Sequence, residues 1–330
     1  MIKHLIQRAL RLLNPGDFRA TSRAAFSYSL GIALLAKIDI HADGIEKYFR
    51  PAENKSEGHG MPGIDFIYMI NLDQRPEKYE HTMKELKPYG IVPYRFSAVN
   101  GWKLSFEALD HLGVMYEPGT PEGPIASVYR HVDDKEYMSF EIMKEPGISY
   151  YCHSMSRGAI GCLLSHLSVL QDAYDSGYTT IWVMEDDIRV VSDPRELSRL
   201  MHVLDALAPD WDVFFTDPET KNGDGNHVHC GGIRPRPNFP YQPLAYYVNR
   251  NYLHPDIVKL GLRFGAYSMI LRRSGIKKLL DYFKTYKLFF PYDMEYFFPP
   301  DIKLFSCTRD IVTTIAGGIS DNGNPNYEKK

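Results

Sequence analysis

The apolar positions of this chain alternate between two periods. From residue 64, IDFIYMINL is a continuous apolar run with aromatics, the pattern of a strand buried on both faces. DQRPEKYEHTMKEL follows as a helix. Asp73 is placed to cap it, and Pro76 falls in its first turn, where a missing N–H costs little. VPYRFSAV (92–99) reads as the next strand, completing a strand–helix–strand unit. Between 158 and 177, Ile160, Leu163, Leu164, Leu167, Leu170 and Tyr174 form a stripe at helical spacing, and Gly177 is placed to stop the helix. In TTIWVMEDDIRVV (179–191), four apolar residues run directly into Glu185, Asp186 and Asp187. DPRELSRLMHVLDAL predicts a helix with Asp193 as N-cap, Pro194 behind it and Glu196 closing a capping box. WDVFFTD (211–217) and FGAYSMILRR (264–273) read as strands, and Ser274 as the cap of the helix GIKKLLDYFK. Strands alternating with helices predict an α/β protein, its sheet mostly parallel with helices on both faces.

Three stretches break this rhythm. PAENKSEGHGMPG (51–63) is polar and punctuated by Gly and Pro, a linker between an N-terminal helical extension (1–60) and a main domain (61–330). Residues 102–156 read as an insertion with only local structure, and 218–262, rich in Pro, Gly, Asn and Tyr, as a long functional loop. At the N-terminus, Ile2, Leu5, Ile6, Ala9, Leu10 and Leu13 share one helical face while Lys3, Arg8 and Arg11 lie off it. Such a basic amphipathic helix can lie on an anionic membrane surface, here through residues 1–23, or dock on its own domain; the pattern leaves both open. AAFSYSLGIALLA (24–36) is expected to pack against it, and no apolar run reaches the roughly 18 residues of a membrane span.

Composition narrows the classes. A net charge of −3 gives no global basic field for nucleic acid. Cys152, Cys162, Cys230 and Cys307 contain no CxxC spacing, so neither a zinc ribbon nor a redox pair is indicated; a reducing, cytoplasmic compartment is the simplest reading, with peripheral contact to the inner face of the cytoplasmic membrane if the first helix binds lipid. HVHC (227–230) lacks a second ligand cluster. The 23 tyrosines and 17 phenylalanines fit a stacking cleft or an aromatic-rich core equally.

The chemistry concentrates at strand ends, where open α/β sheets bind ligands. If β geometry continues through the three acids, Glu185 and Asp187 share one side and Asp186 faces the other. Two carboxylates facing one way invite a hard divalent cation, Mg²⁺ or Mn²⁺, which takes substrate phosphates as further ligands; an acidic cap or a solvated turn would use the same residues. INLDQR places Asn71, Asp73 and Arg75 at a strand end and a helix N-terminus, suited to a base, a ribose and a phosphate. There is no GxGxxG and no GxxxxGK[ST], which argues against a dinucleotide fold or a P-loop. A nucleotide held by acids and a metal without a glycine loop points to a nucleotide sugar. A metal-dependent phosphoesterase is a weaker reading, for want of the His/Asp clusters of a two-metal site.

The ordered set INLDQRPEKYE, FSAVNG, RGAIGCLLSHLSVLQDA, IWVMEDDI, FGAYSMILRRSGIKKLL, PYD and SDNGN resembles glycosyltransferase family 25, which includes bacterial lipooligosaccharide and collagen galactosyltransferases. The resemblance spans about residues 64–325. It implies a GT-A fold and a metal-dependent, inverting transfer from a UDP-sugar, commonly UDP-galactose, to a hydroxyl of a glycan or glycolipid acceptor in surface-glycan synthesis. A protein acceptor, or an inactive nucleotide- or glycan-binding scaffold, are its alternatives. The family's acidic metal motif falls on Glu185, Asp186 and Asp187, with Glu185 and Asp187 as ligands of Mn²⁺ or Mg²⁺ and Asp186 on the donor. Asn71, Asp73, Arg75, Asn100, Ser320 and Asp321 join it in binding the donor. Asp293, in PYD, is the first choice of general base and Asp217 the second. His166 reads as packing the helix or hydrogen-bonding a loop, and Arg157 and Ser165 as holding the diphosphate or the loops beside it. One position departs: Ala159 stands where the family often has Glu.

Overall fold

The computed structural model describes residues 44–328, save 134, 235 and 316. One compact unit starts at Ile45; the unit before it, Met1–Gly44, holds the amphipathic stretches, which lie outside the described residues. The main domain therefore begins earlier than the linker composition indicates. Ile45 is buried in the core, the Arg50 amide donates to Ser168 Oγ (2.9 Å), and Lys55 Nζ reaches Asp172 (2.6 Å). The polar segment is thus fastened to the domain by its own charges rather than hanging free as a spacer.

Along the chain, β1 (Phe66–Asn71), α1 (Pro76–Leu86) and β2 (Tyr94–Ser97) form the expected strand–helix–strand unit. Then come α2 (Phe106–Leu112), β3 (Val114–Met115), β4 (Ile125–Val132), β5 (Lys135–Ile142) and β6 (Ser149–Cys152). These four strands make a separate antiparallel sheet in the order β3-β6-β4-β5, so the 102–156 segment has more regular structure than its composition indicates. The long helix α3 (Arg157–Asp175) leads into β7 (Thr180–Glu185), β8 (Ile188–Val190), α4 (Glu196–Leu207) and β9 (Val213–Phe215). A short α5 (Leu244–Tyr247), β10 (Arg250–His254), β11 (Ile257–Leu260), β12 (Ser268–Arg272), α6 (Arg273–Tyr286), β13 (Leu304–Cys307) and β14 (Val312–Thr314) complete it.

The main sheet has the order β10-β11-β13-β9-β12-β7-β1-β2. β7, β1 and β2 run parallel, as do β9 and β13, while β12 is antiparallel to both β7 and β9. The sheet is therefore mixed, in an α/β arrangement of the GT-A-like kind. The β10–β11 hairpin closes one edge, so part of the 218–262 segment belongs to the sheet rather than to a loop. β1 and the apolar stretch of β7 are wholly buried, as expected of strands covered on both faces.

Three caps differ from expectation. Arg75 rather than Asp73 occupies the N-cap of α1, because Asp73 turns back to accept from Arg95 (2.9 Å) and Ser97 (2.7 Å). α4 starts at Glu196, two residues beyond the expected Pro194, while Asp193 accepts from the Arg195 amide in the preceding turn. Ser274 lies inside α6 and donates to Asp212 (2.7 Å). At α3 the cap is Ser156, which accepts from the Ala159 amide. A glutamate at 159 would complete a capping box there; Ala159 leaves the helix with the serine alone.

Candidate active site

The carboxyl ends of β1 and β7 open onto a cavity walled by α3, the 3₁₀ turn Gly101–Lys103, Lys78 of α1 and the segment Ser320–Asn322. Glycines set how closely these walls approach. A Cβ on Gly101 would lie 1.8 Å from the Arg157 carbonyl, and one on Gly161 2.4 Å from the Gly101 amide. A Cβ on Gly158 would lie 2.5 Å from the carbonyls of Asp321 and Asn322. Arg157 and Ser165 both hold loops, and Ser165 also lines the cavity. Arg157 donates to the Trp102 and Leu104 carbonyls, and Ser165 Oγ accepts from the Val99 amide (2.8 Å).

Glu185, Asp186 and Asp187 all line this cavity. The expectation that Asp186 faces away is not met, because β7 ends at Glu185 and the next two residues form a turn, which ends the strand alternation. Each acid has a distinct environment. Glu185 Oε1 lies 3.0 Å from Nε2 of buried His166; a carboxylate only accepts, so the imidazole donates. Burial alone would raise the Glu185 carboxyl, but the His166 hydrogen bond and charge, with help from Lys78, hold it below the usual range. Asp186 accepts from Asn71 Nδ2 (2.7 Å) and faces Lys78 (3.8 Å); burial outweighs both and pushes it up to about 6. Asp187 is pushed up to about 7 by burial and by its two acidic neighbours. Its Oδ1 is buried with no hydrogen-bond partner among the described residues. A buried anionic oxygen without a donor is costly unless a cation meets it. The acids thus fit a divalent ion, with Asp187 and the free side of Glu185 as its protein ligands. Cys162 Sγ and His166 also lie within 4.8 Å of a Glu185 oxygen, but His166 already spends Nε2 on that carboxylate.

The residues expected to bind a donor divide. Asn100 caps the Gly101–Lys103 turn by accepting from the Trp102 amide (3.1 Å), and it lines the cavity with Ser320 and Asp321. Arg75 grips both Asp321 oxygens (2.6 and 2.5 Å), and Lys78 approaches the same carboxylate (3.7 Å). Asn71 is buried behind Asp186 and orients it. Asp73 lies outside the cavity lining, and Arg50, Arg95 and Ser97 hold its carboxyl below the usual range against the pull of burial.

Of the two candidate bases, Asp293 is not on the cavity lining but lies near enough for the Glu185 charge to act on it. Its Oδ2 accepts from the Gly265 amide (3.0 Å), and burial raises its carboxyl, with the Glu185 charge adding to that. Asp217 does not belong here. It is fully buried, pairs with Arg263 (2.8 Å), and accepts from Tyr267 and from Thr313 (2.7 Å). Arg263 also lies over the Phe215 ring (4.4 Å). With its carboxylate tied into this network and no exposure, Asp217 links the end of β9 to the start of β12 and to β14. The HVHC histidines pair separately, His229 with Glu219 and His227 with Asp310, and form no metal cluster among the described residues.

Sequence reasoning missed Lys78, Trp102 and Cys162, and did not name Glu185 as the partner of His166. Cys162 and His166 are four apart on α3 and therefore share a face, a signal that was present. Trp102 Nε1 donates to the Asp321 carbonyl (3.0 Å), a contact 219 residues away that local pattern does not report.

A mixed α/β sheet with an acidic cavity at its strand ends is compatible with a GT-A-like fold. The sequence profile described as "Glycosyltransferase family 25 (LPS biosynthesis protein)" matches residues 64–296, and the chain belongs to that family. Among relatives, it is 26% identical over 219 residues to the human "Inactive glycosyltransferase 25 family member 3", covering 66% of this chain and 29% of that protein. It is 27% identical over 213 residues to a Drosophila melanogaster "Glycosyltransferase 25 family member", covering 61% and 29%. It is 26% identical over 154 residues to the Danio rerio "Procollagen galactosyltransferase 1", covering 46% and 21%. The chain therefore spans under a third of the length of these relatives. No helix among the described residues is long and apolar enough to cross a membrane.

Proposed function

We propose that this protein transfers a hexose, galactose by the family's habit, from a UDP-sugar to a hydroxyl of a glycan or glycolipid with inversion. The observation that carries this reading is the unpartnered, buried Oδ1 of Asp187 beside Glu185 at the end of β7. A Mn²⁺ or Mg²⁺ held by those two residues would offset the charge of the departing diphosphate. Lys78 and Arg75 supply further positive charge, at present engaged with Asp321. The cavity has a volume of about 90 Å³, less than the roughly 300 Å³ at the small end for ligand pockets. Movement of the Ser320–Asn322 segment on donor binding would free the two cations for phosphate. Asp293 takes the proton of the acceptor hydroxyl; a raised carboxyl is a better base once it ionises, and its Gly265 contact fixes its direction.

The second reading is an inactive scaffold, favoured by the names of the human and mouse relatives called inactive. The presence here of the three acids and Asp293 favours activity. A protein acceptor is the third possibility, drawn from the zebrafish procollagen galactosyltransferase. A panel of UDP-sugars, scored for Mn²⁺-dependent release of UDP, tests the proposal. Release from at least one donor supports it, and UDP binding without release from any donor supports the scaffold.

A further inference from the structure

A second cavity, of about 490 Å³, is lined in part by Met294, the residue after Asp293, and shares no lining residue with the acidic one. Its size falls within the range of small-ligand pockets. Phe290 and Phe297 form its floor, both nearly fully buried, and half-buried Phe264 forms a wall. Exposed Arg234 and His153 stand at the rim, and Arg234 forms no ion pair among the described residues.

The position of Asp293 gives this cavity its meaning. Met294, the next residue, lines it, and Phe264 adjoins Gly265, whose amide holds the Asp293 carboxylate. The Asp293 charge reaches Cys230 in this cavity, and also Cys162 and Glu185 in the acidic one. Asp293 itself lines neither cavity: Met294 after it lines this one, and Tyr292 before it stacks on His166 (4.4 Å), which holds Glu185 in the other. The acidic pocket suits a metal diphosphate. The other has aromatic walls, which pack against the C–H faces of a sugar ring, under a rim of hydrogen-bond donors. A guanidinium at the rim offers a fork matched to a carboxylate or a phosphate.

We propose that this second cavity is the acceptor subsite and takes a pyranoside ring carrying a carboxylate or phosphate, which Arg234 holds. The proposal rests on the transferase reading and names the acceptor class within it. On this geometry the acceptor hydroxyl faces Asp293. The proton passes to that carboxylate as the hydroxyl oxygen bonds to the anomeric carbon and the bond to UDP breaks.

Binding is measured by saturation-transfer NMR with three probes: methyl β-glucuronide, glucose 6-phosphate and neutral methyl β-glucoside. The wild type and the Arg234→Gln and Phe264→Leu variants are compared, each checked for an unchanged melting temperature. The expected result is that R234Q weakens the anionic probes by about tenfold, the value of a charge-assisted hydrogen bond, while the glucoside binds R234Q and wild type alike. F264L weakens all three. If the glucuronide alone is affected by R234Q the ligand class is a uronide, and if the phosphate alone, a sugar phosphate; either supports the subsite. Equal binding of anionic and neutral probes to both proteins, or no saturable binding of any, overturns it. Donor-only UDP release by the wild type is scored separately. Its absence sinks the transferase reading, whereas its presence with no glycoside binding sinks only the acceptor assignment.

Discussion

Removal of the Asp217 carboxylate distinguishes a structural acid from a catalytic one. Asp217 and Arg263 are both essentially unexposed and lie 2.8 Å apart. The pair is tied to Tyr267 and Thr313, so it links β9, β12 and β14. Asp217→Ala leaves a guanidinium buried without its counter-charge and deprives two hydroxyl donors of an acceptor. Breaking a buried pair from one side costs about 3–5 kcal/mol. In a domain of this size each kcal/mol lowers the melting temperature by roughly 2–4 °C, so a fall of about 6–20 °C is expected. Against a total stability of roughly 5–15 kcal/mol, the loss is a large fraction of what holds the domain folded. Asp217→Asn keeps the shape and an acceptor oxygen while losing the charge, and should fall between. Circular dichroism melts of the three proteins, with UDP release measured well below each transition, decide the matter. The expected result is large destabilisation with activity per folded molecule largely retained. A D217A protein that melts within about 2 °C of wild type yet releases no UDP would refute the reasoning and return Asp217 to the list of bases.

Three further outcomes follow from the cavity. His166→Ala removes the donor that fixes Glu185, so the Mn²⁺ concentration for half-maximal UDP release should rise several-fold, with His166→Gln recovering part of the loss; an unchanged metal requirement in H166A would contradict the positioning role. Asp321→Asn frees Arg75 and Lys78 from a carboxylate, so UDP should bind more tightly by calorimetry; weaker binding would mean that Asp321 itself grips the donor. In chelator, Asp186 and Asp187 titrate near 6 and 7 in the fold against roughly 3.9 unfolded, so the folded state holds the extra protons between those values and stability falls as pH rises through that window. Wild type minus Asp187→Asn should show this decline in melting temperature from pH 5 to pH 8, and a rise instead would overturn the assigned environments.

How much was legible follows from range. β1, β7, α1 and α3 were readable because buried strands and an amphipathic helix write their burial into neighbouring residues. The acids at the end of β7 and the Asn71–Arg75 group were readable for the same reason, since a strand end is marked by where the apolar run stops. Their geometry was not. Whether β7 continued through Asp186 depended on a turn, and the turn on pairing with β12, whose Tyr267 carbonyl accepts the Glu185 amide from 82 positions on. Asp217 shows the same limit from the other side. An acid after an apolar strand looks like a site, and only the distant Arg263 and Thr313 reveal a buried ion pair. The 102–156 strands went unseen because β5 carries apolar and polar residues on an exposed edge, with Phe140 59% and Met138 46% exposed, so no clean alternation marks it.

The most direct test of the central claim is Mn²⁺-dependent UDP release from a UDP-sugar by Asp187→Asn beside wild type, with melting temperatures in chelator confirming that both are folded. Asn matches the shape of Asp187 but not its charge, and the buried Oδ1 has no partner to lose. The account predicts chelator-sensitive release by wild type and essentially none by the variant. Full release by D187N, or release by wild type that chelator does not touch, would contradict it.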